Sequence, residues 1–341
     1  MKPCGIQIFS LLLLLNIAYL ASAQVLNAQP ISKPSSPSSA QAGSGPTFTV
    51  PESVLNKQVS VIVYGDMRFT DPSDTHAADP AARRLLVAKI AAEQPDAVQL
   101  TGDVPYSGGH ESDYDVYRAE TEPWRTAKLR IYPALGNHEF ARGSKEECIE
   151  HWWTAFPELR GKRWYSVALG KRIYLVNLDS MSDLTDGSPQ RAWLQEQIEH
   201  LPKTVDFVMI ALHHPPVADI QTRFEVDHNP RGNEIPLRNY LSSIAPQTHA
   251  SIVVTGGHIH NYERFLVDGV VYLVSGGGGA HPYEVDRTPP DLYQNNDFPN
   301  FHYIQFILDK DELRATMFRL VDPQATKPEW QARDTFTVKK K

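Results

Sequence analysis

Five short stretches of the chain carry side chains able to hold a metal or move a proton. They are Gly65-Asp66-Met67-Arg68, Thr101-Gly102-Asp103-Val104-Pro105-Tyr106, Gly136-Asn137-His138-Glu139, His213-His214-Pro215-Pro216 and Gly256-Gly257-His258-Ile259-His260. Two aspartates, an asparagine and three histidines from these stretches form a mixed oxygen and nitrogen donor set, suited to two borderline divalent or trivalent ions. Each stretch alone has an ordinary explanation. A Gly-Asp pair is a common turn, Asn-His-Glu is a common cap, and paired histidines before prolines suit a strand-end turn. Alternate residues of an extended strand point to opposite faces, so His258 and His260 reach one site only if the backbone turns locally.

Each stretch follows an apolar run. Val59 to Tyr64, Ala97 to Leu100, Ile131 to Leu135, Phe207 to Leu212 and Ser251 to Val254 read as buried strands, as do Ile173 to Leu178 and Val270 to Val274. Asp79-Pro80 supplies an N-cap and a first-turn proline before a helix over Ala81 to Ala92. Ser188-Pro189 does the same before Gln190 to Leu201, and Lys145 to Ala155 is a third helix. Strands with continuous apolar runs, alternating with helices, predict an α/β fold whose sheets are covered on both faces. Tyr303 to Leu308 and Leu313 to Leu320 read as a closing antiparallel pair. Ligands in α/β sheets gather at the carboxyl ends of strands, so the five exits predict one shared rim.

The ordered set Gly-Asp, Gly-Asp-x-x-Tyr, Gly-Asn-His-Glu, His-x-Pro and Gly-His-x-His-x-Tyr-Glu-Arg resembles the calcineurin-like metallophosphoesterase superfamily, and within it the purple acid phosphatase-like branch. The resemblance spans Val59 to about Phe318. It implies a four-layer αββα sandwich, two mixed sheets flanked by helices, with a dinuclear metal centre at its edge. By the same resemblance Asp66, Asp103, Tyr106 and His260 are ligands of one ion, and Asp103, Asn137, His213 and His258 of the other. The expected pair is Fe(III) with a divalent Zn, Fe or Mn. The implied reaction is hydrolysis of phosphomonoesters by a hydroxide held between the ions, with Asp103 as the bridge and His138 protonating the leaving group. Arg68, Asn137 and His214 are expected on the substrate side, and Glu139 is read as orienting the His138 imidazole. The chain departs from the branch at Arg68, where a glycine or histidine is usual. Arginine keeps its proton and cannot ligate. It either faces the substrate phosphate or pairs with a structural carboxylate, and Tyr106 is either a phenolate ligand or a packed core residue.

Composition bounds the rest. The 341 residues are 41% hydrophobic and 21% charged with a formal charge of −7, which favours a globular protein and gives no electrostatic reason for a nucleic-acid partner. Two cysteines cannot build a disulfide framework, and Cys148 is expected to be buried and structural. Lys2, the apolar run Ile8 to Leu20 and the small residues Ala21-Ser22-Ala23 read as a signal peptide over 1–23. A Ser, Pro, Ala and Gln-rich linker is expected over 24–47 and the metallophosphoesterase domain over 48–338. That predicts a secreted or periplasmic protein acting on a small phosphoester, with no stable membrane anchor after cleavage. A phosphodiesterase on the same metal core, a catalytically silent binding module of the same fold and a surface-tethered adhesion protein are the alternative readings.

Overall fold

The computed structural model describes residues 45–219 and 229–341. The signal peptide, most of the linker and part of the loop from Ala218 to Glu234 lie outside the described residues. At the linker's end, Thr47 exchanges backbone and side-chain hydrogen bonds with Ser166, both 3.2 Å. No helix among the described residues is long and apolar enough to cross a membrane.

Two mixed sheets carry the fold. The first has seven strands in the spatial order β1 (Phe48–Val50), β5 (Tyr165–Leu169), β6 (Ile173–Asn177), β7 (Phe207–Ala211), β8 (Ser251–Gly256), β10 (Val270–Ser275) and β9 (Tyr262–Val267). The second has six, in the order β13 (Trp330–Lys339), β12 (Glu312–Leu320), β11 (Phe301–Asp309), β2 (Ser60–Tyr64), β3 (Ala97–Leu100) and β4 (Ile131–Pro133). Within them β6, β7 and β8 run parallel, as do β2, β3 and β4. The helices are α1 (Pro80–Glu93), α2 (Glu111–Glu120), α3 (Glu122–Thr126), α4 (Lys145–Ala155), α5 (Pro189–Glu199) and α6 (Glu234–Ile244).

The strands of the first sheet divide their side chains between two cores, as a period of two requires. Leu175, Met209, Val253 and Leu273 pack into the cluster that holds Val61, Val63 and Leu100 of the second sheet. Their neighbours Tyr174, Val176, Val208, Ile210, Ile252 and Val254 pack outward with Trp193, Leu194 and Ile198 of α5 and Leu237 and Leu241 of α6. On the far side, Leu86, Val87 and Ile90 of α1 cover the second sheet. Helix, sheet, sheet and helix therefore stack as the sequence predicts. Gln99 of β3 stitches the two sheets, donating to the Val176 carbonyl of β6 at 3.0 Å. Cys148 is buried and unpaired in α4.

All seven runs read as strands are strands, shifted by at most two residues at either end. Helices α1 and α5 start where their caps predict: Asp79 accepts from Ala81 and Ala82, and Ser188 from Arg191. The four glycines from Gly276 to Gly279 are buried and closely packed. A Cβ on Gly276 would lie 2.2 Å from the Ile259 carbonyl oxygen, and one on Gly278 would lie 2.3 Å from that of Gly65. Glycine is needed there for close approach of backbone to backbone.

Candidate metal centre

The exits of β2, β3 and β4 in one sheet and of β7 and β8 in the other deliver their side chains to a common place. Asp66, Asp103 and His258 themselves take left-handed backbone conformations, with φ of 62°, 54° and 70°. Each costs conformational energy for a non-glycine residue, and such costs persist where the surroundings over-determine the conformation. Hydrogen bonds supply that determination. The amide of Asp66 donates to the Gly102 carbonyl at 3.0 Å, that of Arg68 to the Asp103 carbonyl at 2.9 Å, and that of Ile259 to Gly257 at 2.8 Å. The last of these is the local turn that brings His258 and His260 to the same site. Gly136 admits the Asp103 carboxylate, since a Cβ there would lie 2.4 Å from Asp103 Oδ1.

Glu139 does not orient the His138 imidazole. Its buried carboxylate accepts the amides of Gly136, Val104 and Asp103 at 2.7, 2.8 and 3.0 Å and so ties the β3 and β4 exits together. Burial and the nearby Asp103 charge push it up to about 8, against the pull of those three amides. The imidazole of His138 is oriented instead by the Tyr106 carbonyl, 2.6 Å from Nδ1, and by stacking on the Tyr106 ring at 5.4 Å.

The donors converge on His213. Its Nδ1 lies 2.9 Å from the Thr101 carbonyl, which fixes the proton on Nδ1 and leaves a lone pair on Nε2. Around Nε2 stand Asn137 Oδ1 at 2.9 Å, His258 Nδ1 at 3.3 Å and Asp103 Oδ1 at 3.3 Å. His260 is held in the same way, with Nδ1 at 2.7 Å from the His281 carbonyl and a buried Nε2 that has no hydrogen-bond partner, 3.5 Å from Asp66 Oδ1. The His213 Nε2 lone pair facing Asn137 Oδ1 and Asp103 Oδ1, and that of His260 facing Asp66 Oδ1, meet other acceptors at distances that repel unless a cation lies between them. Donors bonded to one ion at about 2.1 Å sit about 3.0–3.4 Å apart in octahedral or tetrahedral arrangement, so the set fits a metal.

Electrostatics agree. Burial, and then the Asp103 charge, push the Asp66 carboxyl well above its ordinary range, with Arg68 opposing. Burial also opposes ionisation of Asp103, but His213, His138 and Arg68 outweigh it and hold that carboxyl below its usual range. Burial drives the imidazoles of His213, His214 and His260 toward the neutral form that a ligand needs.

The remaining expected residues are near. Arg68 Nη2 reaches Asp103 Oδ2 at 3.3 Å. His214 packs on His258, ring centroids 4.3 Å apart, with Nδ1 at 2.9 Å from Ser180 Oγ. His213, His214 and His258 together form one group of nitrogen donors close enough for a single ion, and Asp66, Asp103 and His213 form another. Tyr106 borders the centre through its carbonyl and ring, and the Arg142 guanidinium covers that ring at 5.1 Å. Sequence reasoning missed Ser180 and Tyr283. Tyr283 stacks on His260 with centroids 4.1 Å apart. Neither sits in a motif, and the one signal for them is that buried histidines need partners.

The profile of the calcineurin-like phosphoesterase family matches residues 67–262. A barley (Hordeum vulgare) protein named nucleotide pyrophosphatase/phosphodiesterase is 26% identical over 301 residues, covering 74% of this chain and 78% of that one. An Arabidopsis thaliana protein named probable inactive purple acid phosphatase 1 is 24% identical over 282 residues, covering 71% of this chain but 45% of its own length. Among solved structures, purple acid phosphatase PPD1 from yellow lupin (Lupinus luteus) seeds superposes with a TM-score of 0.66 at 20% identity, over 83% of this chain and 54% of that one. With the profile spanning more than half of its length and such relatives around it, the chain belongs to the calcineurin-like phosphoesterase family, on its purple acid phosphatase-like side.

Proposed function

We propose that the protein is a secreted, metal-dependent phosphoester hydrolase acting on phosphomonoesters. One observation carries the reading: donor atoms of Asp66, Asp103, Asn137, His213, His258 and His260, drawn from both sheets, converge, and His213 and His260 turn their Nδ1 protons away from the shared place. Asp103, Asn137, His213 and His258 would hold one ion, and Asp66, Asp103, His260 and a Tyr106 phenolate the other. Fe(III) suits the oxygen-rich position, and Zn, Fe or Mn the imidazole-rich one. Bound there, such ions supply Lewis-acid charge for the phosphoryl oxygens and acidify a water to make a nucleophile near neutral pH.

The chain's own residues do the rest. With Nδ1–H held on the Tyr106 carbonyl, His138 has Nε2 as the atom that carries a proton to the leaving oxygen. Arg68 offers guanidinium N–H groups to the phosphoryl oxygens, and Asn137 and His214 line the substrate side. The name of the barley relative favours a second reading, hydrolysis of a diester or pyrophosphate on the same centre. The label inactive on the Arabidopsis relative favours a third, a binding module without turnover.

Paired assays with p-nitrophenyl phosphate and bis(p-nitrophenyl) phosphate, before and after chelation and alongside elemental analysis, test the proposal. The expected result is monoester hydrolysis that is lost with the metal and restored by it. Preference for the diester moves the assignment to the second reading, and stoichiometric metal without hydrolysis of either ester moves it to the third. Secretion is tested by the mass of the mature chain recovered outside the cytoplasm, expected to begin after Ala23.

A further inference from the structure

Two histidines of the centre turn Nδ1 to a main-chain carbonyl, which can only accept: His213 bonds Thr101, and His260 bonds His281. His214 does something different. Its Nδ1 lies 2.9 Å from the Ser180 hydroxyl, which can donate or accept, and its own amide donates to the same oxygen at 3.1 Å. Ser180 stands three residues beyond the end of β6, a strand whose exit supplies none of the candidate donors. Its carbonyl accepts Arg231 Nη2 at 2.8 Å and Asn233 Nδ2 at 3.1 Å, which fixes the turn.

Hydrogen-bond accounting then decides where the ring proton sits. Ser180 is buried, and among the described residues its hydroxyl proton has no acceptor other than His214 Nδ1. If Nδ1 carried a proton, Ser180 Oγ would accept twice and its own proton would be left buried and unpaired, which is costly. With the hydroxyl donating to Nδ1 every group is satisfied, and the imidazole proton lies on Nε2. The ring packs against both His213 and His258, with centroids 4.9 and 4.3 Å away, and one nitrogen of each of the three lies within 4.8 Å of the others. A nitrogen that carries a proton has no lone pair for a metal. His214 therefore stands beside the other two rings as a hydrogen-bond donor.

We propose that Ser180 is a positioning residue that keeps the His214 proton on Nε2, so that His214 offers an N–H to a phosphoryl oxygen beside His213 and His258 instead of a third nitrogen ligand. The idea deepens the phosphoesterase reading and rests on it for the identity of the anion. A donor fixed in advance needs no reorganisation when the anion arrives.

Long-range nitrogen–proton NMR spectra of the histidine rings in the zinc-loaded protein, with His214 assigned by its absence from His214→Gln, read the proton's position directly. The expected result is a proton on Nε2 in the wild type and, in Ser180→Ala, a ring that shares its proton between the two nitrogens. Calorimetric binding of inorganic phosphate should weaken by about two- to fivefold in Ser180→Ala, since affinity scales with the fraction of molecules in the competent form. In His214→Ala it should weaken by about three- to tenfold, the scale of one hydrogen bond. His214→Gln keeps an N–H donor and should recover part of that loss. Zinc content and affinity should match the wild type in all of these variants. A proton on Nδ1 in the wild type, an unchanged His214 spectrum in Ser180→Ala, loss of zinc from His214→Ala, or phosphate affinity that neither substitution alters would overturn the proposal. Absent hydrolysis of p-nitrophenyl phosphate by the wild type sinks the phosphoesterase reading alone, because the proton's position and the phosphate affinity are both read without turnover.

Discussion

At the scale of single residues, the proposed reading separates side chains that would hold a cation from side chains that would act on a substrate. Asp103 faces His213, His138 and Arg68 at once, so Asp103→Asn should abolish turnover and lower metal content together. His138 has its Nδ1 tied to the Tyr106 carbonyl and its Nε2 3.9 Å from Asp103 Oδ2, on a partly exposed side chain. His138→Ala should lose about 10²–10⁴-fold in turnover while keeping its metal, the range for general acid–base catalysis. Metal loss from His138→Ala, read by elemental analysis, would make it part of the scaffold. The convergence of the candidate donor residues was legible because glycine-acid and glycine-histidine pairs after apolar runs are local patterns. Glu139 was misread because its partners, three backbone amides from two loops, leave no trace in side-chain spacing. Tyr283 was invisible for a related reason: its ring reaches His260 across 23 positions of sequence, and nothing adjacent to it in the chain announces the contact.

Among the elements, helix α1 shows how a cap links local sequence to the site. Asp79 Oδ1 accepts two first-turn amides at 2.9 and 3.0 Å, and its own amide donates to the Gly279 carbonyl at 2.7 Å. Asp79→Ala should cost about 1 kcal/mol by urea unfolding, and an unchanged midpoint would mean that water replaces the cap at no cost. Strands with both faces buried were legible as continuous apolar runs. The edge strand β13 was not, because Gln331, Arg333, Asp334 and Thr335 break its apolar pattern, and half-exposed strands at the end of a sheet have no need of one. Strand β9 hid inside a motif. Tyr262 to Arg264 reads as the tail of the histidine signature, and pairing with β10 is what makes it a strand.

Over the whole molecule, stability should respond to acid through a buried group outside the set of candidate donors. His302 is fully buried, with Nδ1 at 2.9 Å from the Asn300 carbonyl and Nε2 at 3.2 Å from Ser275 Oγ, and burial pushes its pKa down to about 4. Above pH 6.5 the folded and unfolded chains are both neutral there. As the pH falls from 6.5 toward 4, the unfolded chain takes a proton that the folded one refuses, so stability is lost by up to about 3 kcal/mol. His302→Gln should flatten that decline in urea titrations across the same window, and parallel curves would exclude His302 as the cause. The layered architecture itself was legible, since it follows from alternating strands and helices and needs few specific contacts. What sequence could not reveal is how tightly the two sheets are welded at the glycine-rich exit of β10. There the main chain passes so near Ile259 and Gly65 that a single added methyl at Gly276 or Gly278 would wedge the first and last motifs apart. Drift in this lineage thus has a route to silence that leaves every candidate cation-binding side chain in place, and an inventory of those side chains would count such a descendant as intact.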